Sequence, residues 1–238
     1  MYSDSRRIVR LCLAALAALL VAGGLFVVRG PLLMSAPMCL SGQWQRCLGT
    51  FNGVVLMTLL ALPPAVLVAW GLAWRRRAAG VASAWRLSLA EVGMVHGTLP
   101  FLWMTLIPGG GAGVVPPRVS LVPLRDLAVM GSLGIVGNLL VFASLGFFAP
   151  VRFAAVATLP RVLALGAGCS VLVETAQYVL RLDRVSSVDD VLLNAAGAVL
   201  AGLASRRWWR TRTGAGAGAG AGAPVGAASL AAGTGRVA

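Results

Sequence analysis

The chain has 238 residues, of which 58% are hydrophobic and only 11% are charged. Soluble domains carry about 25% charged residues, so the composition excludes an ordinary soluble globular enzyme. The formal net charge is +13 and every cationic side chain is arginine. These arginines separate apolar runs instead of forming one cationic face, which is typical of membrane proteins and argues against a nucleic-acid partner.

Six apolar runs are long enough to cross a membrane, which takes roughly 17–25 residues. In chain order the predicted spans are Leu11–Val28, Val54–Trp74, Leu87–Ile107, Ala128–Val151, Val162–Leu180 and Val188–Ala204. They predict an all-α fold, a polytopic transmembrane helical bundle of about six spans. The first run is longer than a usual signal-peptide core and lacks a clean cleavage site, which favours a retained helix. The Pro63–Pro64 pair predicts a kink in the second span.

The arginines orient these spans. With a cytoplasmic N-terminus, the inside segments hold 13 arginines and the outside segments hold six. Because arginine is enriched in cytoplasmic loops, this distribution predicts that both termini are cytoplasmic. Trp208 and Trp209, beside Arg207, predict an anchor at the membrane interface.

We divide the chain into three parts. Residues 1–86 are predicted to form a first pair of helices with an outside loop, and residues 87–212 the main helical membrane domain. Residues 213–238 are rich in Gly and Ala, which predicts a flexible low-complexity tail.

The four cysteines fall into two groups. Cys12 and Cys169 lie in apolar spans, where cysteine acts as a small apolar residue. Cys39 and Cys47 lie in the first outside loop. An oxidising exterior permits a disulfide there, so these two are the candidate pair, although a sequence does not show whether they approach each other.

Polar side chains within the spans are costly and need a partner or a function. Glu174, Gln177 and Arg181 fall on one helical face of the fifth span, and Asp190 and Asn194 share a face of the sixth. The connection between these spans is short, so they form an antiparallel hairpin whose polar faces meet at the outer end. The predicted ligand pocket consists of Asn138, Glu174, Gln177, Arg181, Asp189, Asp190 and Asn194.

Two other polar residues lie in the third span. His96 has no second histidine at metal-binding spacing, and Glu91 is expected to face Arg86 at the inner end. We therefore expect no cofactor and no metal site, although Glu174, Asp189 and Asp190 are together enough carboxylates for a divalent ion.

The motifs resemble those of VanZ-like membrane proteins. Gly137–Phe147 is similar to the family's N-x-x-x-F-x-P-L-G-F, Glu174–Gln177 to its E-x-x-Q, and Ser187–Ala198 to its D-D-x-x-x-N-x-x-G. Val119–Leu124 resembles its N-L-x-P segment. The resemblance covers about residues 99–203 in the family's order and spacing. Ser144 replaces the usual proline, which is expected to straighten the fourth helix, and Ser120 replaces an asparagine.

The family is named for a protein linked to resistance to teicoplanin, a glycopeptide that acts outside the membrane. The resemblance therefore implies a multi-pass protein of the bacterial cell membrane and a role in the cell envelope. Recognition of an anionic envelope lipid, a wall precursor or a glycopeptide at the outer leaflet is the favoured function, without catalysis. An enzyme using Glu174 and Asp190 on a lipid-linked substrate is the alternative, and polar contacts between helices are the purely structural interpretation.

Overall fold

The computed structural model describes residues 2–209, so the predicted tail at 213–238 lies outside the described residues. The long helices are α1 (Tyr2–Gly30), α4 (Phe51–Ala78), α5 (Ala84–Thr105), α6 (Ser132–Val141), α7 (Ala143–Arg152), α8 (Leu159–Val179) and α9 (Val188–Ser205). Two five-residue helices, α2 (Ala36–Leu40) and α3 (Trp44–Leu48), lie between α1 and α4, and the strands are β1 (Arg118–Ser120) and β2 (Val185–Ser187).

Five segments of the described chain are long and apolar enough to cross a membrane. They are Leu11–Leu40, Phe51–Ala78, Ser132–Arg152, Leu159–Val179 and Val188–Trp208. They confirm an all-α membrane bundle. The third predicted span, α5, has 22 residues but is absent from this set. It packs against α4 and α7 within the bundle.

The bundle has two ends. The strand end carries residues 106–131 and 180–187, which include β1 and β2. The arginine end carries Arg75, Arg76 and Arg77 in the last turn of α4, and the arginines that follow α9. Successive passes run in opposite directions, so α1 begins and α9 ends at the arginine end.

Two predicted spans differ from the observed helices. The first continues beyond Val28, through a π-helical turn at Pro31–Ser35, to Leu40. The fourth breaks at Phe142, whose φ and ψ are −113° and 14°. The expectation that Ser144 straightens this helix is therefore wrong. Its hydroxyl instead donates a 2.8 Å hydrogen bond to the carbonyl oxygen of Gly93 in α5.

The second span keeps its proline pair inside one helix. Helix α4 is unbroken across Pro63 and Pro64. It begins at Thr50, whose side chain accepts a hydrogen bond from the amide of Gly53. This N-cap gives one of the first free amides of the helix its partner.

Glycines allow α9 to approach its neighbours closely. A Cβ on Gly197 would lie 1.9 Å from the backbone oxygen of Leu139 in α6, and one on Gly146 of α7 would lie 2.1 Å from that of Ala198. Small residues are the usual means of packing helix backbones together in membranes. The buried core at this contact includes Val141, Phe142, Val162, Val173 and Ala198.

A disulfide closes the segment between α1 and α4. Cys39 in α2 and Cys47 in α3 are bonded, with their Cα atoms 5.1 Å apart. The indole of Trp103 in α5 donates a 2.9 Å hydrogen bond to the carbonyl oxygen of Leu48, which attaches this segment to the bundle at the strand end.

Candidate functional site

The strand end is organised by a parallel pair of strands. β1 pairs with β2 in a register that places Arg118 opposite Val185 and Ser120 opposite Ser187. The long segment 106–131 therefore returns to the connection between α8 and α9. Asp183 strengthens this contact, because its side chain accepts a 2.9 Å hydrogen bond from the amide of Gly111.

Asp189 holds the second half of that segment. It is 1% exposed, and its two carboxylate oxygens accept hydrogen bonds from the backbone amides of Leu124 (2.5 Å), Asp126 (2.8 Å) and Leu127 (2.9 Å). Three backbone donors on one carboxylate make a strong, charge-assisted set. Asp189, expected to lie in the ligand pocket, thus anchors a loop.

Asp126 adds a second link at the same place. Its carboxylate accepts a 2.6 Å hydrogen bond from the hydroxyl of Ser187. This bond is the main reason that the pKa of Asp126 lies below its usual value. The Ser187 hydroxyl also accepts from the Asp189 amide, as the N-cap of α9.

Three more predicted pocket residues join pairs of helices. The amide of Asn138 in α6 donates a 2.5 Å hydrogen bond to Asp190 in α9. Asn194 of α9 donates to the hydroxyl of Ser170 in α8 at 2.7 Å.

The third is Gln177 of α8, whose amide donates to the carbonyl oxygen of Thr105 at the end of α5, at 2.9 Å. The hydrogen bonds of Asn138, Asn194 and Gln177 are thus polar contacts between helices, as the purely structural interpretation expects.

Glu174 is arranged differently. It is 8% exposed, and its Oε2 accepts a 3.0 Å hydrogen bond from the backbone amide of Ser187. The hydroxyl of Ser186 donates to the carbonyl oxygen of Glu174 at 2.9 Å, so both neighbours hold this turn of α8 in place. No partner of Oε1 exists within residues 2–209, and Glu174 lines a cleft.

This cleft lies between α8, α9 and the strand pair. Its volume is about 360 Å³, and it is open on one side. The walls are almost entirely apolar and are formed by Val119, Leu121, Val171, Glu174, Thr175, Tyr178, Ser186, Ser187, Val188 and Val191. A cleft of this size with one placed polar group has the form of a small-ligand site.

Arginines surround the strand end. Arg184 is exposed, and its guanidinium donates to the carbonyl oxygen of Ile107 at 3.3 Å. Arg118 lies 3.4 Å from Asp183 and is 58% exposed in its side chain.

Arg181 does not continue the polar face of the fifth span. Helix α8 ends at Val179, and Arg181 has φ 50°, in the left-handed region. Its side chain is exposed, and the expectation of a shared helical face with Glu174 is therefore wrong.

The carboxylates of the strand end do not converge on one point. Within the described part of the chain, no three His, Cys, Asp or Glu side chains are grouped so that they could hold a metal ion. The reason is visible at Asp189, whose oxygens face the backbone amides of residues 124–127.

Glu91 belongs to the opposite end. Its carboxylate pairs with Arg76 of α4 at 2.5 Å and also with Arg152 of α7. The expected partner, Arg86, instead donates to the hydroxyl of Ser83. Glu91 therefore joins three helices at the arginine end, away from the cleft.

The apolar walls of the cleft were missed by reasoning from sequence. Val171, Tyr178 and Val191 resemble any other lipid-facing residues of a span, and their pattern carries no signal of a cavity. The role of Ser187 could have been predicted from the sequence, because a serine directly after a loop and before an apolar run is a helix N-cap pattern.

Comparison with known family models identifies a match that covers this region of the chain. The family model described as VanZ/LLP1 matches residues 65–209, from within α4 to the end of the described chain. No curated protein and no solved structure matches the chain. The family match spans more than half of the 238 residues and includes every residue of the cleft. The chain therefore belongs to the VanZ/LLP1 family.

Proposed function

We propose that the protein binds an anionic envelope lipid, or the lipid part of a wall precursor, in the cleft at the strand end. The observation that carries this proposal is the cleft itself, with about 360 Å³ of space, apolar walls and Glu174 among its lining residues. A hydrocarbon chain gains free energy from such walls in proportion to the apolar area buried. Arg118 and Arg184 supply donors that suit a phosphate or carboxylate headgroup.

An outward-facing strand end is part of the proposal. The Cys39–Cys47 disulfide lies there, and disulfides persist on the oxidising side of a membrane. The opposite end carries Arg75, Arg76 and Arg77, and arginine is enriched on the cytoplasmic side. Both features support a bacterial cell-membrane protein with a cytoplasmic N-terminus and with its ligand in the outer leaflet.

Recognition is favoured over catalysis by the state of the two candidate carboxylates. Asp190 is engaged by Asn138 at 2.5 Å, and Oε2 of Glu174 is engaged by the backbone amide of Ser187 at 3.0 Å. General acid–base work on a lipid-linked substrate would need a second group within hydrogen-bond reach of the same atom. The family's namesake supports one physiological consequence, altered susceptibility to teicoplanin.

The test compares lipids bound to purified variants by native mass spectrometry. Val191→Trp fills the cleft from α9, and its matched control is Leu192→Trp, one residue further along the same helix, 47% exposed and outside the cleft. Thr175→Trp fills the cleft from an exposed position on α8. It tests the same cleft if Val191→Trp fails to fold.

We expect both cleft variants to lose the bound envelope lipid while the Leu192 control retains it. Thermal unfolding of each purified variant verifies that the bundle is intact. Equal lipid retention by the wild type, the folded cleft variants and the control would refute the proposal. The teicoplanin susceptibility of cells that express the wild type, the cleft variants or the Leu192 control then tests the proposed physiological consequence.

A further inference from the structure

The two ends of the bundle differ in their balance of charge. Within residues 2–209, the helix ends and connections at the arginine end carry 11 arginines and two acidic residues, whereas those at the strand end carry six arginines and five acidic residues. Glu91, one of the two acidic residues at the arginine end, already pairs with Arg76 and Arg152. The arginine end is therefore a strongly cationic surface.

Six exposed arginines form what we call the arginine rim. They are Arg75, Arg77, Arg86, Arg161, Arg206 and Arg207. Among the side chains that the structure describes, no ion pair includes a rim arginine. Their positive charge is thus available to an anionic partner outside the chain.

Aromatic rings place the arginine rim at the level of the lipid headgroups. The guanidinium of Arg77 lies over the ring of Trp85, 5.7 Å from its centroid, and that of Arg207 lies 4.0 Å from the centroid of Trp208. Tryptophan is enriched where the hydrocarbon of a membrane meets the headgroups. The arginines beside these rings are therefore at the depth of lipid phosphates.

The arginine rim has two corners on different helices. The first corner is the turn between α4 and α5, with Arg75, Arg77 and Arg86. The second lies where α8 begins and α9 ends, because a Cβ on Gly202 would be 3.2 Å from the side chain of Val162. That contact brings Arg161, which precedes Val162, to the same end as Arg206 and Arg207. A membrane surface can reach both corners at once, whereas one small soluble anion cannot.

We propose that the arginine rim binds the phosphate groups of anionic phospholipids in the leaflet at that end of the bundle. Guanidinium groups bind phosphate through paired hydrogen bonds. Each arginine near an anionic membrane surface strengthens binding by about fivefold, whereas a zwitterionic headgroup has no net charge to offer. The rim lies at the opposite end from the cleft, so this inference does not depend on the proposed function.

The test titrates the delipidated full chain with phosphatidylglycerol or with phosphatidylcholine of identical acyl chains, and native mass spectrometry measures the bound lipid. Two variants each remove one corner, Arg75→Gln/Arg77→Gln/Arg86→Gln and Arg161→Gln/Arg206→Gln/Arg207→Gln. The matched control, Arg29→Gln/Arg46→Gln/Arg125→Gln, loses three exposed arginines outside the rim. Thermal unfolding verifies that each variant is folded, and if one corner variant does not fold, the other still tests the rim.

We expect the wild type and the control to bind phosphatidylglycerol at least about tenfold more tightly than phosphatidylcholine. Each corner variant should bind phosphatidylglycerol at least about fivefold more weakly than the wild type, with little change for phosphatidylcholine. The cleft variant Val191→Trp should keep the preference, because the cleft lies at the other end.

Three results would overturn the proposal. The first is equal binding of the two lipids by the wild type, and the second is an equal loss of affinity in the control and the corner variants. The third is loss of the preference in folded Val191→Trp, which would assign the anionic lipid to the cleft. Inorganic phosphate, added at constant ionic strength, tests a soluble partner. Displacement of phosphatidylglycerol by phosphate would contradict the lipid assignment.

Discussion

Replacement of Asp189 by alanine should release the loop that covers the strand end. The carboxylate is 1% exposed and accepts from three backbone amides, those of Leu124, Asp126 and Leu127. A hydrogen bond to a charged group contributes about 1.5–3 kcal/mol, so three could amount to roughly 4.5–9 kcal/mol if nothing replaced them. Water will replace part of this, because Leu124 is 62% exposed. We therefore expect a loss of about 3–5 kcal/mol in the free energy of unfolding.

Two measurements check this expectation. Denaturant unfolding in detergent gives the change in free energy, and hydrogen exchange read on a peptide covering residues 121–131 shows whether the loop is released. Asp183→Ala is the graded comparison, because it removes one backbone contact, to Gly111 at 2.9 Å, and the exposed pair with Arg118 at 3.4 Å, and should cost about 1.5–3 kcal/mol. If Asp189→Ala costs no more than Asp183→Ala and leaves exchange in 121–131 unchanged, the anchoring role of Asp189 is wrong.

Three further predictions concern the rest of the bundle. Gly197→Ala should lower the unfolding temperature clearly, because its Cβ would meet a backbone oxygen at 1.9 Å, whereas Gly168→Ala, with nothing within 4 Å, should be neutral in the same thermal scan. Cys39 and Cys47 should resist a membrane-impermeant maleimide on intact cells until a reductant is added, and labelling without reductant would contradict the disulfide. Glu91→Gln leaves Arg76 and Arg152 beside each other without their shared carboxylate, so it should lower the free energy of unfolding by about 1–3 kcal/mol. Chemical unfolding measures this loss, and a variant of near-wild-type stability would contradict it.

Hydropathy alone was sufficient to predict an all-α membrane bundle, because a long run of apolar residues is unfavourable in water and stable in a bilayer as a helix. It was weaker where a span carries charge. Helix α5 packs within the bundle but is absent from the set of apolar spans, and the pairing of Glu91 with two arginines of other helices shows how its charge is accommodated.

The polar residues show where reasoning from spacing stops. Glu174 and Gln177 share a face, as helical periodicity requires, yet one lines a cleft and the other bonds to α5. Arg181 was expected on the same face because the helix was assumed to continue. The chain instead turns through a left-handed residue at that position, and hydropathy gives no warning of where a helix ends.

The sequence by itself determined that this is a helical membrane protein whose connections are arginine-rich at one end of the bundle. It also determined that the motifs are those of the VanZ/LLP1 family. These properties depend only on local composition and on the order of the motifs. Tertiary structure decided what Asp189 and Asp190 do. They are adjacent in the chain, but one faces a loop whose nearest contact, Leu127, is 62 residues away and the other faces Asn138 in α6. The cleft was also a tertiary result, since its volume exists only between α8, α9 and a strand pair that no local pattern specifies.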